Sequence, residues 1–133
     1  MDRRMLSRED EAQTDTVVTR EDQNNINKFS TLHQKQGILK EELEKKNQEK
    51  EYIDDVTSEL ELADEDDMIP YKIGDSFLHL PLEDVQQLLE KSAQDIIEEI
   101  KALEEKIERN DEIMGELKVK LYAKFGKAIN LEV

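Results

Sequence analysis

The sequence predicts a mainly α-helical protein, an antiparallel two-helix coiled coil with a central β-hairpin. Three observations carry that expectation. Strand chemistry is confined to one stretch, MIPYKIGDSFLHLP, from Met68 to Pro81. The long segments on either side of it repeat apolar residues every seven positions. The composition, 40% charged and 5% aromatic with no Trp, suits narrow helical seams rather than a round core.

In chain order, residues 1–18 are polar, charged and aperiodic, and read as a disordered tail ahead of a coiled-coil domain over 19–133. The first helix is expected over about 19–65. Thr19 and Asp22 have the spacing of a capping box, and Glu21 and Asp22 suit the positive end of a helix dipole. The seam of this helix runs through Phe29, Gln36, Leu43, Lys50 and Thr57 at one heptad position. Leu32, Leu39, Lys46, Ile53 and Leu60 occupy the other, so six of the ten are apolar. The run Asp64-Glu65-Asp66-Asp67 ends the helix, because carboxylates oppose the negative end of its dipole.

A hairpin follows over about 68–80, with Gly74-Asp75 as its two-residue loop, since Gly tolerates positive φ. Positions facing each other across that loop have numbers summing to 149. Ile73 then pairs with Ser76, Tyr71 with Leu78 and Ile69 with Leu80 on one almost wholly apolar face. Pro70, Lys72, Phe77 and His79 make the other face mixed. A two-stranded ribbon alone is marginal in water. The apolar face is therefore expected to lie against other copies or relatives of this chain.

The second helix is expected over about 81–125, with Pro81 at its first position, where the missing N–H is not needed. Leu80 or His79 would be a poor cap. Leu89, Ile96, Leu103, Asn110 and Leu117 form one seam row, and Ala93, Ile100, Ile107, Met114 and Leu121 the other; nine of the ten are apolar. Gly126 terminates the helix and leaves a short tail.

Laid antiparallel with numbers summing to 146, the seams match Phe29 with Leu117, Leu32 with Met114, Leu39 with Ile107 and Leu43 with Leu103. Gln36 then faces Asn110, a single polar layer of the kind that fixes coiled-coil alignment. Lys46 and Lys50 face Ile100 and Ile96. Either the lysine stems cover the isoleucines while the ammonium groups reach water, or the helix rotates locally and those isoleucines meet a neighbouring subunit. Gly37 and Gly115 each cost up to about 1 kcal/mol relative to Ala, so the half of the coil remote from the hairpin should bend or fray more easily.

The net charge of −15 disfavours nucleic acid and anionic membranes as partners. No apolar run approaches the roughly 18 residues of a membrane span, and the opening MDRRMLSREDEAQTD lacks the apolar centre of a secretory signal, so a cytoplasmic location is expected. With no Cys, disulfides, thiolate catalysis and cysteine-ligated metals drop out. His33 and His79 have no catalytic partner by spacing. The acidic run from Asp64 to Asp67 fails the calcium-loop pattern, and no phosphate loop or nucleophile motif is present. Neither enzyme activity nor a cofactor nor a metal is expected.

Ile26 and Phe29 near one end of the first helix converge with Leu121, Tyr122, Phe125, Ile129 and Leu131 on one tip of the coil. Phe29 and Leu121 serve the seam; Tyr122, Phe125, Ile129 and Leu131 are harder to bury between two helices. Exposed apolar clusters of that size mark interaction sites.

Three blocks carry a more specific likeness: VTREDQNNINKF (Val18 to Phe29), LADEDDMIPYKIGDSF (Leu62 to Phe77) and LYAKFGKAINLE (Leu121 to Glu132). They resemble the corresponding segments of β-class prefoldin subunits, and the similarity spans roughly residues 18 to 132. The resemblance implies that hairpins from six subunits build a β-barrel platform, here through Ile69, Tyr71, Ile73, Phe77, Leu78 and Leu80. It also implies that unfolded clients such as actin and tubulin bind at the tips, around Ile26, Tyr122, Phe125, Ile129 and Leu131, and pass to the cytosolic chaperonin without ATP. Leu80-Pro81 departs from the polar helix cap that relatives often carry. The alternative is an antiparallel coiled-coil scaffold in a non-chaperone complex. It fits the heptads equally well and leaves the apolar hairpin unexplained.

Overall fold

The computed structural model describes residues 17–126. Its elements are helix α1 (Arg20–Leu60), strands β1 (Met68–Ile73) and β2 (Ser76–Pro81), and helix α2 (Leu82–Phe125). The tail expected over residues 1–18 lies outside the described residues as far as residue 16, and so do Ile129 and Leu131. Val18 is half-buried against apolar side chains and belongs to the fold rather than to a tail.

The capping box forms as the spacing dictates. Thr19 N–H donates to Asp22 Oδ2 at 3.0 Å, and Asp22 N–H donates back to Thr19 Oγ1 at 3.1 Å, satisfying two orphan donors at the start of α1. At its other end α1 stops at Leu60, short of the expected 65. Three successive i to i−3 bonds, from Glu61, Leu62 and Ala63 N–H to Ser58, Glu59 and Leu60 carbonyls, tighten the chain as it leaves the helix. The acidic run then makes its own turn: Asp64 N–H donates to Asp67 Oδ2 and Asp67 N–H to the Asp64 carbonyl, both at 3.0 Å. A side chain that satisfies local backbone in this way competes with helix continuation.

The hairpin has the expected register, with Ile69 opposite Leu80, Tyr71 opposite Leu78 and Ile73 opposite Ser76. Gly74 sits at φ 61°, the left-handed region that a residue with a Cβ enters at a cost. Pro81 differs from expectation. It is the last residue of β2, opposite Met68, and α2 begins one residue later at Leu82. At the end of a two-stranded ribbon a proline forfeits no needed ladder bond.

The chain divides into two compact units, one holding the segments up to Lys40 and from Glu105 onward, the other Glu41–Glu104. In the first, Ile26, Phe29, Leu117, Leu121 and Phe125 form the core, with Val18, Leu32, Ile113, Met114 and Tyr122 packed around it. The expected neighbours Phe29 with Leu117 and Leu32 with Met114 are thus brought together.

Gln36 is only 4% exposed and holds the polar layer. It accepts from Asn110 Nδ2 at 3.2 Å, and its own amide donates to the Ile107 carbonyl at 3.0 Å and to Asp111 Oδ1 at 2.7 Å. The layer read from seam arithmetic is therefore built, with Asp111 added to it.

In the second unit Leu82, Val85, Leu89, Ile96, Ile100 and Leu103 are buried. Val56 is half-buried where the heptad count placed Thr57, which is exposed. Thr57 Oγ1 donates to the Ile53 carbonyl at 2.8 Å, so its hydroxyl is satisfied on its own helix and the apolar valine turns inward. The two seam lysines turn to carboxylates. Ile96 and Ile100 are buried within this unit, while Lys46 Nζ reaches Glu99 at 3.0 Å and Glu49 at 3.6 Å, and Lys50 Nζ reaches Asp54 at 3.1 Å. The isoleucines are closed within the single chain and both ammonium groups are held by carboxylates that are half exposed, which fits lysines whose heads reach toward water.

Candidate functional site

The hairpin is the first candidate surface. Alternation along β1 and β2 puts Ile69, Tyr71, Ile73, Leu78 and Leu80 on one face, and the register holds them opposite one another. Ile69, Tyr71 and Leu80 are half-buried. Ile73 and Leu78 are 52% and 47% exposed, and Phe77, on the opposite face, is 65% exposed. Tyr71, Ile69 and Phe77 border a groove within the same unit whose walls include Ile53, Val56, Val85, Leu89 and Ile96. The six residues singled out from the sequence thus share one ribbon, and each is partly or largely open. Met68, 54% exposed, extends this surface. Its place opposite Pro81 follows from the same register sum and was the signal that could have included it.

The second candidate is the cluster where α1 begins and α2 ends. Here the structure overturns part of the expectation. Ile26 and Phe29 are 3% exposed, Leu121 1% and Phe125 2%, so all four are closed on one another. Phe125 lies four residues beyond Leu121 and eight beyond Leu117, an i, i+4, i+8 stripe that keeps it facing α1. Tyr122 is half-buried, with Lys118 Nζ 5.8 Å from its ring centroid.

The cluster is fastened by charge. Lys124 forms an ion pair and hydrogen bond with Asp22 across the helices, and its Nζ lies 5.5 Å from the Phe125 ring centroid. Burial works to raise the pKa of Asp22, but the hydrogen bonds from Lys124 and from Thr19 backbone and side chain, with the charge of Lys124, outweigh it. The carboxyl is held below its ordinary value of 3.8. This cap and clasp share one carboxylate, a link that heptad spacing does not reveal.

His33 lies on α1 and His79 on β2 opposite Pro70. Among the described residues no three His, Asp or Glu side chains gather as a metal site, and no helix is long and apolar enough to cross a membrane.

Two long helices that pack together, joined by a ribbon with open apolar side chains, define a coiled-coil assembly subunit. The comparisons specify it. The chain belongs to the prefoldin family: the family described as "Prefoldin subunit" matches residues 23–128. It is 45% identical to "Prefoldin subunit 4" of Saccharomyces cerevisiae, over 88% of this chain and 91% of that one. It is 44% identical to "Prefoldin subunit 4" of Homo sapiens, over 91% of each. The prefoldin beta subunit from Thermococcus strain KS-1 shares the fold, with a TM-score of 0.75 at 14% identity over 84% of this chain and 97% of that one. The chain is accordingly a non-enzymatic chaperone component that assembles with other prefoldin subunits.

Proposed function

We propose that this chain is one subunit of a cytoplasmic, heterohexameric, ATP-independent chaperone that holds unfolded polypeptides, actin and tubulin among them, and delivers them to the cytosolic chaperonin. The observation that supports it most is the open apolar ribbon. Ile73, Phe77 and Leu78 are each about half exposed or more in the single chain, on a two-stranded sheet that is marginal in water by itself. Strands of sister subunits would cover Ile69, Tyr71, Ile73, Phe77, Leu78 and Leu80.

Client contact falls to the residues around Ile26, Phe29, Leu121, Tyr122, Phe125, Ile129 and Leu131. With Ile26, Phe29, Leu121 and Phe125 closed on one another, Tyr122, Ile129 and Leu131 make the first contact. Several weak apolar contacts at high local concentration retain a chain that one contact would lose, and release it without nucleotide.

The test uses the assembled complex with Tyr122→Ser, Ile129→Ser and Leu131→Ser combined in this subunit. Suppression of aggregation of a denatured client should fall severalfold while the mass of the complex is unchanged. Undiminished suppression by an intact complex refutes client contact at these residues.

A further inference from the structure

The formal charge of −15 is distributed unevenly. Within Glu41–Glu104 there are six Lys or Arg against twenty-one Asp or Glu, a net of −15. The described part of the other unit, residues 17–40 and 105–126, holds nine against seven, a net of +2. Over all its residues this unit is neutral, thirteen Lys or Arg against thirteen Asp or Glu, so the whole excess of negative charge lies in Glu41–Glu104.

The positive charge of the neutral unit has a focus. Lys35, Ile38 and Leu39 of α1 and Lys106, Arg109 and Asn110 of α2 line one concavity of about 290 Å³, with no carboxylate among its lining residues. That volume is at the lower edge of the roughly 300–1,000 Å³ of small-molecule sites, and suits one inserted side chain. Ile38 is 64% exposed, an apolar residue left open on the outer side of α1. Lys35, Lys106 and Arg109 form no ion pair among the described residues. The floor is firm, because Asn110 is tied to buried Gln36. Helical spacing explains the grouping. Lys35 and Leu39 are i, i+4 on α1, Lys106 and Arg109 are i, i+3 on α2, and the Gln36 layer fixes the two pairs side by side.

We infer that this concavity is a docking site for an acidic polypeptide segment that seats one aliphatic side chain on Ile38 while its carboxylates meet Lys35, Lys106 and Arg109. Charge complementarity selects the partner. Arg109 offers a planar fork for bidentate carboxylate contact, Lys35 and Lys106 add point charges, and Ile38 supplies the apolar contact that separates this site from diffuse attraction. The inference does not depend on client capture at Tyr122, Ile129 and Leu131.

The test titrates the full-length chain with a fluorescent ten-residue peptide of alternating Glu and Ser around a central Leu, followed by anisotropy. Binding should weaken at least tenfold in Lys35→Glu/Arg109→Glu, and severalfold in Ile38→Ser or when the peptide Leu is replaced by Ser. Lys28→Glu/Lys120→Glu changes the net charge of the same unit equally and should retain most of the binding. All four positions are exposed, and circular dichroism verifies that helicity is kept. Equal loss in the two charge-reversal pairs, indifference to the peptide Leu, or tighter binding of a thymidine oligonucleotide than of the peptide overturns the docking site. Each would mean that only diffuse positive charge is being read.

Discussion

Gln36 is the residue at which the helices are told how to align. A polar side chain buried to 4% exposure between two helices is tolerated because all of its amide groups are engaged, by Asn110, Asp111 and the Ile107 carbonyl. Gln36→Ala leaves those partners inside without a mate, and should cost about 1–3 kcal/mol of stability in thermal unfolding. Gln36→Leu with Asn110→Leu should instead recover or exceed the wild-type midpoint, since replacing both partners by apolar groups removes the desolvation cost. The alignment of Gln36 with Asn110 was legible in the sequence because heptad arithmetic carries across two helices. Asp111 was not, because it lies off the seam and enters only through the reach of the glutamine amide.

Asp22 is the other residue with a decisive position. Its carboxyl is held below 3.8 in the folded chain by Lys124 and Thr19 acting against burial. A depressed folded-state pKa contributes stability that is present above the unfolded value and lost as pH falls through the folded one. The stability advantage of the wild type over Asp22→Asn should therefore be constant from neutral pH to above 3.8 and shrink progressively below it. Chemical unfolding of both proteins between pH 7 and pH 2 measures this, and a pH-independent difference would contradict the clasp.

At the scale of elements, the hairpin was the most legible part of the fold. A period of two, one Gly-Asp pair and a register sum leave little freedom, and every pair from Met68 with Pro81 to Ile73 with Ser76 obeys it. The helices were legible in their middles and less so at their ends. A strict seven-residue count carries the seam from Leu117 to Lys124, whereas the helix turns Phe125 inward and lets Lys124 reach Asp22. The same drift near the hairpin exchanges Thr57 for Val56 and buries Val85 where the count gives Gln86, whereas Leu82, one heptad ahead of Leu89, keeps the count. Seven-residue repeats report the partner helix. They do not report a hairpin folded nearby.

Two helical glycines bear on the same elements. A Cβ built at Gly37 or Gly115 meets no atom within 4 Å, so nothing in the packing requires either glycine. Gly37→Ala and Gly115→Ala should each stabilise the chain by up to about 1 kcal/mol through helix propensity. A rise in unfolding temperature for each, additive in the double variant, is the expected result.

For the molecule as a whole, the open ribbon organises everything else. One sheet of two strands with Ile73, Phe77 and Leu78 exposed is marginal alone, and the proposed strands of sister subunits would cover it. Family membership was legible in the sequence from segments at both chain ends and the hairpin. Burial at the helix ends was not, because it depends on helix rotation within the last turns.

The most direct measurement is native mass spectrometry of complexes captured from cells through this chain, alone and with Ile73→Glu and Leu78→Glu combined. The account predicts a complex of six different subunits for the wild type and a freed, still helical chain for the variant. Recovery of the wild-type chain as a stable monomer or homodimer, or a variant still held in the full complex, would contradict it.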